Sequence, residues 1–425
     1  MIRLIEALNY RCLRYVRQPL GPFHVLVGPN ASGKTTFLDA PAFLGDLLEH
    51  GLDEAITSRA SAIQDLFFRG QGDRFELAVV MEIPETIAAH LPSDQAYRFI
   101  RYEVAIGFKR SEQEYQIFDE QVILQQTCGE NLGNGQRTLF PDPLDPPSTI
   151  THGGRRVGAG KKRVVRKVYD GNDNFYSEVG RQKGKGGWAP SIRLGPRKSA
   201  LANVPEDERT FPASTWLREM LIAGTQQLML NSLALRRSSR PGQGRLFKPD
   251  GGNLPWVIHN LRNEDMDKFR LWIEHLRTAL PDLEDIDTVE REETRDRWLR
   301  LRYRDDLFVP SWTASDGTLR MLALTLPAYL PEFEGIYLIE EPENGIHPMA
   351  METVFQALRA VYGAQMLLAT HSPVVLGCAE LGDVLCFKKD QSGATDIVEG
   401  AAHPGLERWQ DSMSLTDLYA SGVLG

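Results

Sequence analysis

Gly28-Pro29-Asn30-Ala31-Ser32-Gly33-Lys34-Thr35 is the stretch whose reading decides the fold. It matches G-x-x-x-x-G-K-[ST], the loop with which P-loop proteins hold phosphates. A short apolar strand, His24-Val25-Leu26-Val27, precedes it, and the pattern predicts a helix over about 34–48. Strand, glycine turn and helix are the setting in which the motif has a mechanism. Gly28 and Gly33 let the backbone curl so that successive N–H groups face inward, where the positive end of the helix dipole also points. Lys34 then reaches the β- and γ-phosphates of a nucleoside triphosphate, and the Thr35 hydroxyl meets Mg2+. Asn30, Ser32 and Thr36 belong to the same phosphate-contacting set.

Such a loop needs a carboxylate at the tip of a neighbouring buried strand. Ile336-Tyr337-Leu338-Ile339-Glu340-Glu341 supplies two. Its unbroken apolar run predicts a parallel strand covered on both faces. Glu340 is placed for Mg2+ and Glu341, one residue on, for the general base that polarises a water. A second buried run, Gln365-Met366-Leu367-Leu368-Ala369, ends in Thr370-His371-Ser372, which puts His371 at a strand tip within reach of a γ-phosphate. Ala314-Ser315-Asp316-Gly317 opens a Leu- and Met-rich helix. The Ser315 hydroxyl and Gly317 N–H there suit an anion, and a plain N-cap fits the same residues.

The rest of the chain sets bounds. With 425 residues there is room for two or three domains, and 42% hydrophobic with 25% charged residues is an ordinary globular mix. The net charge of −9 does not advertise nucleic acid. Four scattered cysteines (Cys12, Cys128, Cys378, Cys386) suggest reduced thiols. With no signal peptide and no 18-residue apolar run, the sequence predicts a cytoplasmic protein. Runs at 75–83, 97–109 and 115–124 read as strands, and the alternation from Arg101 to Phe108 predicts a half-exposed antiparallel sheet. Residues 126–210 are rich in Gly and Pro. Between 151 and 200, thirteen Lys or Arg face three acids (Asp170, Asp173, Glu178) among aromatics such as Tyr169 and Trp188. That insert reads either as a contact for nucleic acid or an acidic partner, through Lys161, Lys162, Arg163, Arg166 and Lys167, or as a solvated loop. Helices are predicted over 214–235, 254–261 and 265–280, with strands at 286–292 and 298–303.

Taken in order, the phosphate loop, Ser315-Asp316-Gly317, the 336–341 strand, Pro342-Glu343-Asn344-Gly345-Ile346-His347-Pro348 and His371 resemble an ABC-type ATPase head. The Glu-Glu-Pro-Glu-Asn-Gly-Ile-His-Pro run is most similar to the RecF-, SMC- and OLD-like AAA ATPases. The resemblance covers about 1–125 and 300–425. It implies an α/β fold: a mostly parallel core sheet and an antiparallel β subdomain, with a basic loop-rich insert and a helical subdomain. The corresponding division is 1–125, 126–300 and 301–425. It also implies ATP and Mg2+ as ligands and ATP hydrolysis, with Glu341 and His371 catalytic and Thr35 and Glu340 at the metal. Two heads would pair head to tail, so that Ser315 and Gly317 act on the partner's nucleotide. The chain departs from the pattern in carrying Glu340 for the usual Asp and His347 for the usual D-loop Asp, in lacking a full Leu-Ser-Gly-Gly-Gln signature, and in offering Gln64 and Gln71 as rival Q-loop residues. No long coiled coil is predicted, and the 54 residues beyond His371 predict no nuclease domain. The resemblance therefore implies a regulatory ATPase that controls a separate nuclease or toxin in anti-phage defence. A RecF-like DNA-repair head and a transporter nucleotide-binding subunit are the alternatives.

Overall fold

The computed structural model describes residues 1–109, 111, 113–128, 145–154, 157–179, 190–243, 247–331 and 334–403. Arg155, Arg156, Arg181, Lys183, Lys185 and Trp188 of the basic insert lie outside them, as do Pro141 and Pro143.

The centre is a six-stranded sheet in the order Thr225–Leu228, Gly335–Glu340, Ala364–Ala369, Phe23–Val27, Val384–Lys389, Thr395–Glu399. Its first five strands are parallel and the sixth is antiparallel. The apolar runs of the sequence are explained by two cores, one on each face. Because side chains alternate along a strand, Leu26, Ile336, Leu338, Leu367, Ala369, Leu385 and Phe387 enter one core. Val25, Val27, Tyr337, Ile339, Met366, Leu368, Val384 and Cys386 enter the other. The first core is shared with the helix Lys34–Glu49 and an eight-stranded antiparallel sheet. The second is shared with the helices Leu254–Glu264, Met266–Arg277, Asp316–Thr325 and Pro348–Arg359 and with the three-stranded sheet of Leu283–Glu290, Arg297–Tyr303 and Leu307–Pro310. Gln365 braces the assembly from inside. Its amide receives the Ile2 N–H at 2.8 Å and donates to the carbonyls of Ile2 at 2.8 Å and Gly21 at 2.6 Å.

Three expectations are corrected. First, the strand Phe99–Lys109 is buried on both faces rather than half exposed. Its polar alternates are covered by residues 148–152 and held in a charge network. Arg101 pairs with Glu103 at 2.7 Å and Glu6 at 2.9 Å and donates to the Ile150 carbonyl. Glu103 also takes the His152 ring at 2.9 Å, and Glu76 takes the Ile150 N–H. Burial disfavours the charged form of Glu103, but His152 and Arg101 outweigh it and hold the carboxyl below its ordinary range.

Second, the strand-like run at 162–169 is a strand, and it belongs to the antiparallel sheet rather than to a separate solvated loop. Lys161–Lys167 pairs antiparallel with Glu114–Gln125, and Asp173–Phe175 and Ser191–Ile192 extend the same sheet to its edge. The five basic residues singled out there do not make an open basic face. Lys167 is buried against Asp173 (3.0 Å) and the Gly195 carbonyl. Arg163 is buried on the carbonyls of Gly154 and His152. Lys162 donates to the Glu178 carbonyl, Lys161 sits 3.2 Å from the His152 ring, and Arg166 is half-buried. Strand alternation turns half of such a run inward, and the sheet uses it there.

Third, the helix expected over 214–235 is broken. Pro212–Ile222 ends before Gly224, whose carbonyl receives the Ile336 N–H at 2.7 Å, and Thr225–Leu228 becomes the edge strand beside Gly335–Glu340. Among the described residues, no helix is long and apolar enough to cross a membrane.

Candidate nucleotide site

The parallel strands Gly335–Glu340, Ala364–Ala369 and Phe23–Val27 end side by side, and their tips carry the candidate residues. The loop after Phe23–Val27 needs its glycines for two reasons. Gly28 and Gly33 have φ of 150° and 109°. A Cβ on Gly28 would lie 2.2 Å from the Phe387 carbonyl oxygen, and one on Gly33 2.2 Å from Thr395 Oγ1. Lys34 opens the helix Lys34–Glu49 and turns back over the loop, donating to the carbonyls of Gly28 at 2.8 Å and Pro29 at 3.0 Å. Burial lowers its pKa to about 8, against the pull of Glu341, Glu340 and Glu343. Three carboxylates thus face one lysine, which leaves the site short of positive charge.

Thr35 and Glu340 come from elements 305 residues apart in sequence, yet the Thr35 hydroxyl donates to Glu340 Oε2 at 2.6 Å. The other oxygen, Oε1, accepts from the Gln227 amide at 3.1 Å. Gln227 stands on the edge strand that the sequence reading took for helix. Gln64 and Gln71, the glutamines the sequence offered, are both exposed on the 63–72 stretch. The signal for Gln227 was the short strand-like Thr-Gln-Gln-Leu run after Gly224. Hard oxygen donors held this close suit Mg2+, which takes one or two protein oxygens beside substrate phosphates. Thr35 and Glu340 are the residues that would hold it.

Glu341 has φ of 48°, a left-handed backbone that costs a non-glycine residue about 1 kcal/mol or more. Its N–H donates to the Ala369 carbonyl at 2.7 Å, and its side chain accepts from the Asn344 amide at 2.5 Å. That turn leaves Glu341 exposed beside His371. Glu343 links the two tips by accepting the Thr370 hydroxyl at 2.8 Å and the His371 N–H at 3.0 Å. Asn30, Glu341, Glu343, Asn344, His371 and Ser372 line one open groove of about 500 Å³. Ser32 is buried within the loop, and the Thr36 hydroxyl accepts from Cys12 at 3.4 Å.

Ser315 and Gly317 are not part of that groove. Ser315 caps the helix Asp316–Thr325, accepting the Thr318 N–H at 3.1 Å. Gly317 packs against the 342–348 turn, where a Cβ would lie 2.4 Å from the Gly345 carbonyl oxygen. His347, exposed, accepts the Met349 N–H at the start of Pro348–Arg359.

A family model described as "AAA domain, putative AbiEii toxin, Type IV TA system" matches residues 23–125 and 257–377, more than half of the chain. The chain belongs to this AAA domain family. The matched segments of the AAA domain contain the phosphate loop, Ser315, Gly317, Glu340, Glu341 and His371, and leave out Gln227. A crystal structure of an Smc head bound to the C-winged helix domain of ScpA is similar over 93% of this chain and 96% of that one, with a TM-score of 0.52 and 12% identity. An Smc head domain with an extended coiled coil, bound to the C-terminal domain of ScpA and derived from Pyrococcus furiosus, matches over 100% of this chain and 98% of that one, with a TM-score of 0.49 and 12% identity. With the first of these Smc heads the AAA domain shares the ABC-type ATPase head fold, a mainly parallel core sheet beside an antiparallel one. The OLD nuclease of Thermus scotoductus is 46% identical over 48 residues, which make up 11% of this chain and 9% of that protein.

Proposed function

We propose that this AAA domain binds and hydrolyses ATP with Mg2+, pairs with a second copy around the nucleotide, and through that pairing controls a separately encoded effector. The observation that carries the reading is the Thr35–Glu340 hydrogen bond, beside a Lys34 that feels the charges of Glu341, Glu340 and Glu343. In this reading Lys34 and the inward amides bind the β- and γ-phosphates, and Asn30 flanks them. Glu341 orients a water and takes its proton, and His371 donates to the γ-phosphate oxygen. Mg2+ on Thr35 and Glu340 supplies neutralisation of phosphate charge. The strained turn at Glu341 and the Glu343 link fix the distance between base and histidine without help from substrate, so the site is preorganised.

Ser315 and Gly317 do not line the groove, and Gly317 packs on Gly345 of the 342–348 turn, which fits a role on the nucleotide of a second head. ATP favours the paired state only by its extra contacts there, and hydrolysis removes them. The family description names a toxin of a type IV system and the short likeness is to an OLD nuclease. Both support a defence setting with a nuclease or toxin as the effector. For the DNA-repair alternative, Arg163 and Lys167 are buried in the sheet and are not available to a nucleic acid.

The test uses Glu341→Gln with ATP and Mg2+. Turnover falls at least about 100-fold, and light scattering after gel filtration shows the mass doubling with ATP and not with ADP. Wild-type turnover in this variant, or an unchanged mass, refutes the reading.

A further inference from the structure

The back of the phosphate loop is held by a part of the chain that lies outside the family match. The hairpin of Val384–Lys389 and Thr395–Glu399 passes directly behind residues 28–33. The Phe387 carbonyl sets the clearance at Gly28, and Thr395 does so at Gly33. Thr395 Oγ1 donates to the Ser32 carbonyl at 2.8 Å, in a fully buried contact between residues 363 apart. Thr395 is itself fixed, its N–H donating to the Cys12 carbonyl at 2.9 Å, while Cys12 Sγ reaches the Thr36 hydroxyl.

The Ser32 carbonyl and the Gly33 N–H belong to one planar trans peptide, so they point in opposite directions. Whatever holds that carbonyl at the back of the loop aims that N–H at the front. The position needs such a hold, because Gly33 at φ 109° has the freedom to let the 32–33 peptide rotate. We infer that Thr395 is a positioning residue for phosphate binding: its hydroxyl locks the Ser32–Gly33 peptide with the Gly33 N–H facing the β-phosphate. The inference rests on the reading of residues 28–35 as an ATP site. It adds that the loop is not self-sufficient, and that its shape is set by a hairpin more than 350 residues downstream.

Thr395→Val keeps the shape and removes the hydroxyl, and Thr395→Ser keeps the hydroxyl. Binding of ATP with Mg2+ is measured by calorimetry, alongside the melting temperature without nucleotide and the steady-state kinetics. Thr395→Val weakens the Kd about tenfold, the loss expected when a buried carbonyl loses its donor. It raises KM by the same factor with kcat held within about threefold, as for binding lost equally in ground and transition states. Thr395→Ser returns the Kd to within about threefold of wild type. If wild type and Lys34→Ala both fail to bind ATP, the reading of the site fails. If wild type binds and Thr395→Val binds equally well, or Thr395→Ser is as weak as Thr395→Val, the positioning role is overturned and the nucleotide reading stands. A Thr395→Val protein that loses affinity only in proportion to a collapse of its melting temperature also overturns it.

Discussion

Raising the pH should weaken ATP binding through one side chain. Lys34 is buried at the head of its helix, and its pKa is pushed down to about 8 from the ordinary 10.5. Bound phosphates would raise it again, so binding above pH 8 must take up a proton. With a pKa of about 8, Lys34 is about 90% protonated at pH 7 and about 10% at pH 9, so the affinity should fall about tenfold between them. Calorimetry in buffers of different ionisation enthalpy should report uptake of about 0.75 proton per ATP at pH 8.5. The sign for folding is the opposite of the usual one for a lysine that gains a partner. The folded pKa lies below the unfolded value, so the charged form is disfavoured in the fold. The cost is full below pH 8 and fades as the pH rises towards 10.5. Lys34→Met should therefore melt higher than wild type at pH 7 while failing to bind ATP, with the gap closing by pH 10.5. An affinity that is flat from pH 7 to 9, with no proton uptake, refutes the reasoning.

Two further outcomes follow from the geometry. Lys34→Ala spoils the phosphate loop and Ser315→Arg spoils the cap of the helix Asp316–Thr325, so each alone should be inactive. An equal mixture should recover about a quarter of wild-type turnover, since half of the randomly formed dimers carry one intact composite site; an inactive mixture argues against sites shared between two copies. Gln365→Leu leaves the Ile2 and Gly21 groups without their buried partner and should cost about 2–4 kcal/mol in urea unfolding. A loss below about 1 kcal/mol would mean the brace is incidental.

The site was legible in sequence where its chemistry depends on local backbone. The glycines at 28 and 33 and the acid pair at 340 and 341 are spacing signals, and the strands carrying them announce themselves by continuous apolar runs. Gln227 was missed because a four-residue edge strand after a helix has no periodicity of its own, and only its partner strand gives it shape. The polar alternates of Phe99–Lys109 misled because period two marks which residues share a face and not what covers that face; residues 148–152 cover it here. The basic run at 161–167 was legible as a strand but not in what its charges meet. Its charges pair with groups such as Asp173 and the carbonyls of His152, Gly154 and Glu178, which strand pairing brings close. Thr395 carries no motif at all, and its contact with Ser32 exists only once the hairpin has folded behind the loop.

The double core of the central sheet makes the carboxylate tip a matter of parity. In Gly335–Glu340, even-numbered side chains enter the core shared with the phosphate-loop helix and odd-numbered ones enter the other. Glu340 reaches Thr35 because it is even. Deleting one residue within the strand would exchange the two sets, send Tyr337 and Ile339 to the wrong cores, and offer the helix Glu341 in place of Glu340. Any length change the strand tolerates must therefore come in twos. The identity of the acid that meets Thr35 is fixed less by the letter at position 340 than by the count of residues before it.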